Sequence, residues 1–173
     1  MEPMDANKKI VAAMIGLGAC ARLLPHPWNF TPILAIALYA GVQFAKLRTG
    51  LMATFLALLL SDVVMGLYRG MEWVYASWLI PLLIGRVVRR KPEAVAIAIG
   101  ALGSSLSFFL TTNFAVWAGG HRYAHTAAGL AACYTAAIPF YQNQLLGDAF
   151  YTLALFGGHA AIHHVLQRQP RTA

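Results

Sequence analysis

The feature that leaves this chain the fewest choices is a succession of apolar runs broken only by short polar turns. Several runs reach the roughly 17–25 residues that a helix needs to cross a bilayer. Only 11% of residues are charged while 59% are hydrophobic, whereas a soluble domain carries about 25% charged residues. The expected fold is therefore all-α: a polytopic membrane protein forming one domain over residues 1–173. Its six expected spans lie at about 10–24, 32–45, 51–68, 73–88, 94–117 and 144–166.

A net charge of +7 raises nucleic acid as a partner, but the basic residues flank the spans and form no cluster interleaved with stacking aromatics. The charge is read as topology, and nucleic-acid binding is rejected. Ten of the thirteen Lys and Arg fall on one side of a six-span bundle: Lys8, Lys9, Lys46, Arg48, Arg86, Arg89, Arg90, Lys91, Arg168 and Arg171. Arg22, Arg69 and Arg122 fall on the other. The positive-inside rule then expects both termini in the cytoplasm.

Between the fifth and sixth spans, residues 126–138 form a run of thirteen mostly small or apolar residues. That is too short to cross, and the length suits a re-entrant or interfacial helix. Leu130, Tyr134 and Ile138 share one of its faces, and Pro139 is expected to end it. Pro81 is a candidate kink in the fourth span, and Trp73, Tyr75 and Trp78 at its start read as an interfacial aromatic belt.

Polar residues converge on the outer third. Arg22, Asp62, Asn113 and Asp148 come from four separate spans, yet the topology sets them at one depth. A carboxylate at a span's centre costs about 2.5–3.5 kcal/mol on insertion scales, so such groups pair or face a wet cavity. Two readings stay open: a polar substrate site, or an internal ion-pair network. The loop at 25–31, with Trp28 and Asn29, cannot be helical because of its prolines, and lies at the same outer end. As a ligand site, Trp28 and Trp117 would stack, Asn29, Asn113 and Asn143 would hydrogen-bond, and Asp62, Asp148 and Arg22 would set the charge preference, with Tyr134 nearby.

Enzymatic signatures are missing: there is no nucleophile elbow or phosphate loop, and the serines of the fifth span lack a nearby base. No enzyme and no cofactor is expected. Cys20 and Cys133 have no CxxC spacing, and whether they pair is left open. His121 and His125, with His26, offer an outer transition-metal site at most, without the acidic residue such motifs carry, and no metal is expected. His159 and His163 lack a second buried histidine for haem. Leu17-Gly18-Ala19-Cys20 has the form of a lipoprotein signal, but the apolar run continues past the cysteine, so an uncleaved first span is expected.

Along that span Ala12, Gly16 and Cys20 fall at i, i+4 and i+8, a smooth face suited to close helix approach in lipid. It is read either as a partner dock or as a surface packed on the chain's own helices.

The runs Arg22-Leu23-Leu24-Pro25-His26-Pro27-Trp28-Asn29-Phe30-Thr31-Pro32 and Thr112-Asn113-Phe114-Ala115-Val116-Trp117 stand beside Asp62, Gly66 and Tyr68. With Ala128-Gly129-Leu130, Cys133-Tyr134, Pro139-Phe140, Asn143 and Gly147-Asp148, they resemble a family of uncharacterised bacterial inner-membrane proteins. In size and layout that family is similar to the substrate-binding components of energy-coupling-factor vitamin transporters. The resemblance implies a six-helix bundle that captures a vitamin-like nutrient at the outer face beneath a lid at 25–31. It also implies a transmembrane coupling subunit with paired ATPases, for which Ala12, Gly16 and Cys20 would be a dock. The alternative expectation is a non-catalytic accessory subunit packing within a larger membrane complex.

Overall fold

The computed structural model describes residues 6–168, so Arg171 lies outside the described residues. Among them the chain is all-helical. Helices α1 (Ala6–Ala21), α2 (Ile33–Gln43), α3 (Leu47–Met65), α4 (Met71–Val88) and α5 (Ala94–Gly119) are followed by a rod, α6, spanning Ala127–Arg168. Four of these, α3 to α6, are long and apolar enough to cross a membrane by length and composition. The apolar parts of α1 (Val11–Ala21) and α2 are shorter.

Helix α2 is the axis of the molecule. Every residue from Leu34 to Val42 is buried, as expected of a helix that is apolar on all sides. It lies directly against α4, where Gly41 and Gly85 meet: a Cβ on Gly41 would sit 2.2 Å from the Leu82 carbonyl oxygen. Small residues permit such approach where lipid supplies no hydrophobic drive between helices. Arg86 and Arg89 then fasten the C-terminal end of α2, donating to the carbonyls of Phe44, Ala45, Val42 and Gln43 at 2.8–2.9 Å. Those carbonyls are the ones a helix end leaves without partners.

The outer surface is the converse. Val95, Ile99, Leu102, Leu106 and Leu110 form an exposed stripe along α5, and Met52, Leu56, Leu60, Val63 and Val64 another along α3. Water would not tolerate apolar faces this continuous on a monomer, and an apolar solvent would.

Two expectations are corrected here. Pro139 does not end a short segment: α6 is helical without interruption from Ala127 to Thr152, through the proline. It continues through a π-helical turn at Leu153–Gly157 into Gly158–Arg168. Pro139 lies on the exposed surface of this helix. The run at 126–138 is thus the first part of a long helix, capped by the Thr126 hydroxyl, which accepts from the Gly129 N–H at 3.2 Å. The aromatic belt also dissolves in part: Trp73 is exposed, but Trp78 is a core residue and Tyr75 turns inward to Asp62.

Candidate functional site

Arg22 and Asp62 are brought together as their shared depth implied. Arg22 follows the last turn of α1, and its Nη2 donates to Asp62 Oδ1 at 2.7 Å. Its Nη1 donates to the Ser61 hydroxyl and to the Leu58 carbonyl. Tyr75 of α4 donates to the second Asp62 oxygen at 2.9 Å. Asp62 is 0% exposed, and the void beside Arg22 has a volume of only about 10 Å³. That is the least that holds one water. The pair is a closed, three-helix clasp with no room for a ligand beside it.

Asp148 does not join this clasp. It sits on α6 against α5, where Gln144 Nε2 donates to the Ser105 carbonyl at 2.9 Å and to the Ser105 hydroxyl at 3.0 Å. Asp148 lies beside Ser105 and Gln144, and its Oδ2 has no hydrogen-bond partner.

A cavity of about 320 Å³ opens above it, lined by Asn29, Thr31, Tyr68, Thr112, Gln144 and Asp148 together with Ile33, Leu34, Val74 and Phe108. These residues come from the α1–α2 loop, α2, the α3–α4 turn, α4, α5 and α6. Mixed apolar walls with a few converging polar groups, at the lower end of the range for small-molecule sites, are what such sites look like. Burial, and after it the negative charge of Asp62, push the Tyr68 phenol above its ordinary range, opposed by Arg22. Tyr68 therefore presents a hydroxyl donor at neutral pH. Thr112 donates to the Phe108 carbonyl at 2.7 Å, which leaves its oxygen able to accept.

The loop over this cavity is pinned at its base and free at its tip. Phe30 packs on Phe150 and Tyr151 with ring centres 5.9 and 5.7 Å away. Gly147 makes room for that docking, since a Cβ there would lie 3.0 Å from Phe30 Cα. Asn29 takes a left-handed conformation, φ 63°, and the Phe30 N–H bonds the Pro27 carbonyl at 3.0 Å. Asn is among the few side chains that tolerate this at a turn. Trp28 stands at the tip, 79% exposed.

Of the nine expected ligand residues, Asn29 and Asp148 line the cavity. Arg22 and Asp62 form the clasp. Trp117 donates to the Ala124 carbonyl at 2.9 Å and meets His125 edge to face, and Asn113 donates to the Phe109 carbonyl of its own helix at 2.8 Å. Tyr134 donates to the Leu110 carbonyl at 2.7 Å, and Asn143 is half-buried on α6 outside the lining. Sequence reasoning missed Thr112 and Gln144 as lining residues and Tyr75 as a clasp residue. Thr112 adjoins Asn113, which drew the attention, and Gln144 and Tyr75 are too common in such helices to stand out.

His26 approaches the Pro27 carbonyl at 2.9 Å and His125 the Gly120 carbonyl at 3.2 Å. Among the described residues no group of three or more His, Cys, Asp or Glu is placed to hold a metal. His159 is engaged by the Tyr39 hydroxyl at 2.6 Å. Cys20 is exposed and Cys133 buried, both as free thiols. Ala12, Gly16 and Cys20 line an open groove of about 450 Å³ between α1 and α3 rather than packing on the chain's own helices.

With the geometry in view, the chain belongs to DUF6580, a family of unknown function whose pattern matches residues 4–170. No curated protein and no solved structure matches it.

Proposed function

We propose that this member of the family is the small-molecule-binding component of a transporter, taking a vitamin-like nutrient from the outer face of a bacterial inner membrane. The observation that supports this best is the 320 Å³ cavity. Six parts of the chain contribute to it, and its lining mixes hydroxyl, amide and carboxylate groups with apolar walls. In this reading the chain crosses the membrane six times with both termini in the cytoplasm, and the buried α2 is shielded from lipid by its neighbours. The loop at 25–31 is the lid, hinged where Phe30 is held, with Trp28 free to fold over a ligand. In this reading the activity is binding rather than catalysis.

The α1–α3 groove favours a second element. Ala12 and Gly16 are exposed there, with nothing within 4 Å of a Cβ placed on Gly16. A transmembrane coupling subunit with its ATPases would dock on this face. In the alternative reading, the same face packs an accessory subunit into a larger membrane complex.

Native mass spectrometry of protein purified from its own host separates these. The expected result is a small-molecule adduct on the wild type that is lost from an Asn29→Gly, Thr112→Val variant. Glycine removes the Asn29 side chain without straining its left-handed backbone. Valine conserves the shape of Thr112. No small adduct, with stoichiometric copurification of other membrane subunits, would contradict the binding role and support the accessory role.

A further inference from the structure

Asp148 stands between two spaces of opposite character. On one side is the polar cavity; on the other is a groove of about 640 Å³ between α5 and α6, walled by apolar residues including Leu102, Leu145, Leu153 and Phe156. Asp148 is 4% exposed and its Oδ2 has no partner. One helical turn on, Thr152 lines the same groove, is 7% exposed, and has a buried hydroxyl that also lacks a partner. Residues four apart share a helix face.

Thr152 departs from the habit of this chain. The hydroxyls of Thr54, Thr111, Thr112 and Thr135 each donate to the carbonyl four residues earlier, at 2.7–2.8 Å, the usual fate of a threonine in an apolar helix. Two buried oxygens, on residues one helical turn apart that both line this groove, are therefore left without a donor. No cation answers them either: Arg22 is committed to Asp62, and no other basic side chain among the described residues hydrogen-bonds the Asp148 carboxylate.

We infer that Asp148 and Thr152 hold the ammonium group of a small amphiphilic amine whose apolar body lies along the α5–α6 groove. This rests on the reading of the chain as a ligand-binding component, and narrows the ligand to a cation. A protonated amine brings the positive charge that a buried carboxylate requires and N–H donors for both oxygens. A quaternary ammonium would leave Thr152 unanswered, an anion would oppose Asp148, and a wholly polar polyamine would desolvate against the groove walls. The amine is supplied either as a soluble molecule or as the head of an aminophospholipid.

The test is calorimetric titration of the full chain in phosphatidylcholine nanodiscs with 2-phenylethylammonium and hexylammonium, against the neutral 2-phenylethanol and 1-hexanol. The ammonium compounds should bind at least about tenfold tighter than their alcohols, and Asp148→Asn should lower amine affinity by about tenfold or more, as expected for a charged hydrogen bond. Thr152→Val, which keeps shape and fold, should weaken amine binding and leave the alcohols unchanged. Phosphatidylethanolamine in the nanodisc that competes with the amines identifies a lipid source, and failure to compete identifies a soluble one. Equal binding of amines and alcohols, or amine binding indifferent to both variants, or no amine binding, overturns the inference. If the native adduct is still lost from the Asn29→Gly, Thr112→Val variant in that event, the broader ligand reading survives; if no adduct exists, both fall.

Discussion

Replacing Asp62 with alanine should destabilise the folded protein by about 3–5 kcal/mol, because the substitution leaves a buried guanidinium without its counter-charge. Arg22 is 7% exposed and Asp62 fully buried, so neither can turn to water when its partner is lost. Tyr75→Phe should cost less, about 1.5–3 kcal/mol, since it removes one hydrogen bond to a charged acceptor and leaves the ion pair intact. The joint replacement Arg22→Leu, Asp62→Leu should recover most of the loss, because removing both charges removes the desolvation penalty with them. Reversible unfolding in mixed detergent micelles measures all three. A cost for Asp62→Ala of under about 1 kcal/mol would be that of a solvated surface pair, and would mean that the clasp is open to water.

The second large effect is expected at the α2–α4 crossing. A Cβ on Gly85 would lie 2.3 Å from the Leu38 carbonyl oxygen, as one on Gly41 would from Leu82 at 2.2 Å. Both contacts are with backbone, which cannot swing aside as a side chain can. Gly85→Val should force the helices apart and cost about 3 kcal/mol or more, at or beyond the upper end of ordinary overpacking. Separation would also pull Arg86 and Arg89 from the α2 carbonyls that they cap. Gly16→Ala is the matched control, since its Cβ would meet nothing within 4 Å. It should be neutral or stabilising by about 0.5–1 kcal/mol in the same unfolding assay.

These two regions differ in how far the sequence disclosed them. The Arg22–Asp62 pair was accessible because ionisable residues in apolar runs are few and topology assigns them a depth; only the closure of the pair by Tyr75 and Ser61 needed coordinates. The centrality of α2 was not accessible. A run apolar on every side has no moment to distinguish a lipid-facing surface from a protein-facing one. Its short length, eleven residues from Ile33 to Gln43, is the trace of that burial.

Pro139 misled because proline is a strong stop signal in water. Here the helix carries the proline on its exposed surface without breaking, and α6 runs on to Arg168. Asp148 shares the end of the bundle with Asp62, but it hangs on α6 on the far side of α2, and depth alone says nothing of azimuth around the axis. That is why four residues set at one depth divide between a sealed clasp, a cavity and the α5–α6 hairpin. Gln144 and Ser105, which bond each other beside Asp148, carry no signal in a single sequence, since amides and hydroxyls in helices mostly serve their own backbone.

The central claim is that the cavity beside Asp148 is wet, opens to the outer face and takes a ligand. It is tested most directly by a single cysteine at Thr112 in a Cys20→Ala, Cys133→Ala background, labelled with a membrane-impermeant maleimide in intact cells. Labelling from outside, slowed by the compound that copurifies with the wild type, is the predicted result. Labelling only from the cytoplasmic side of inverted vesicles, or none from either side, would contradict it.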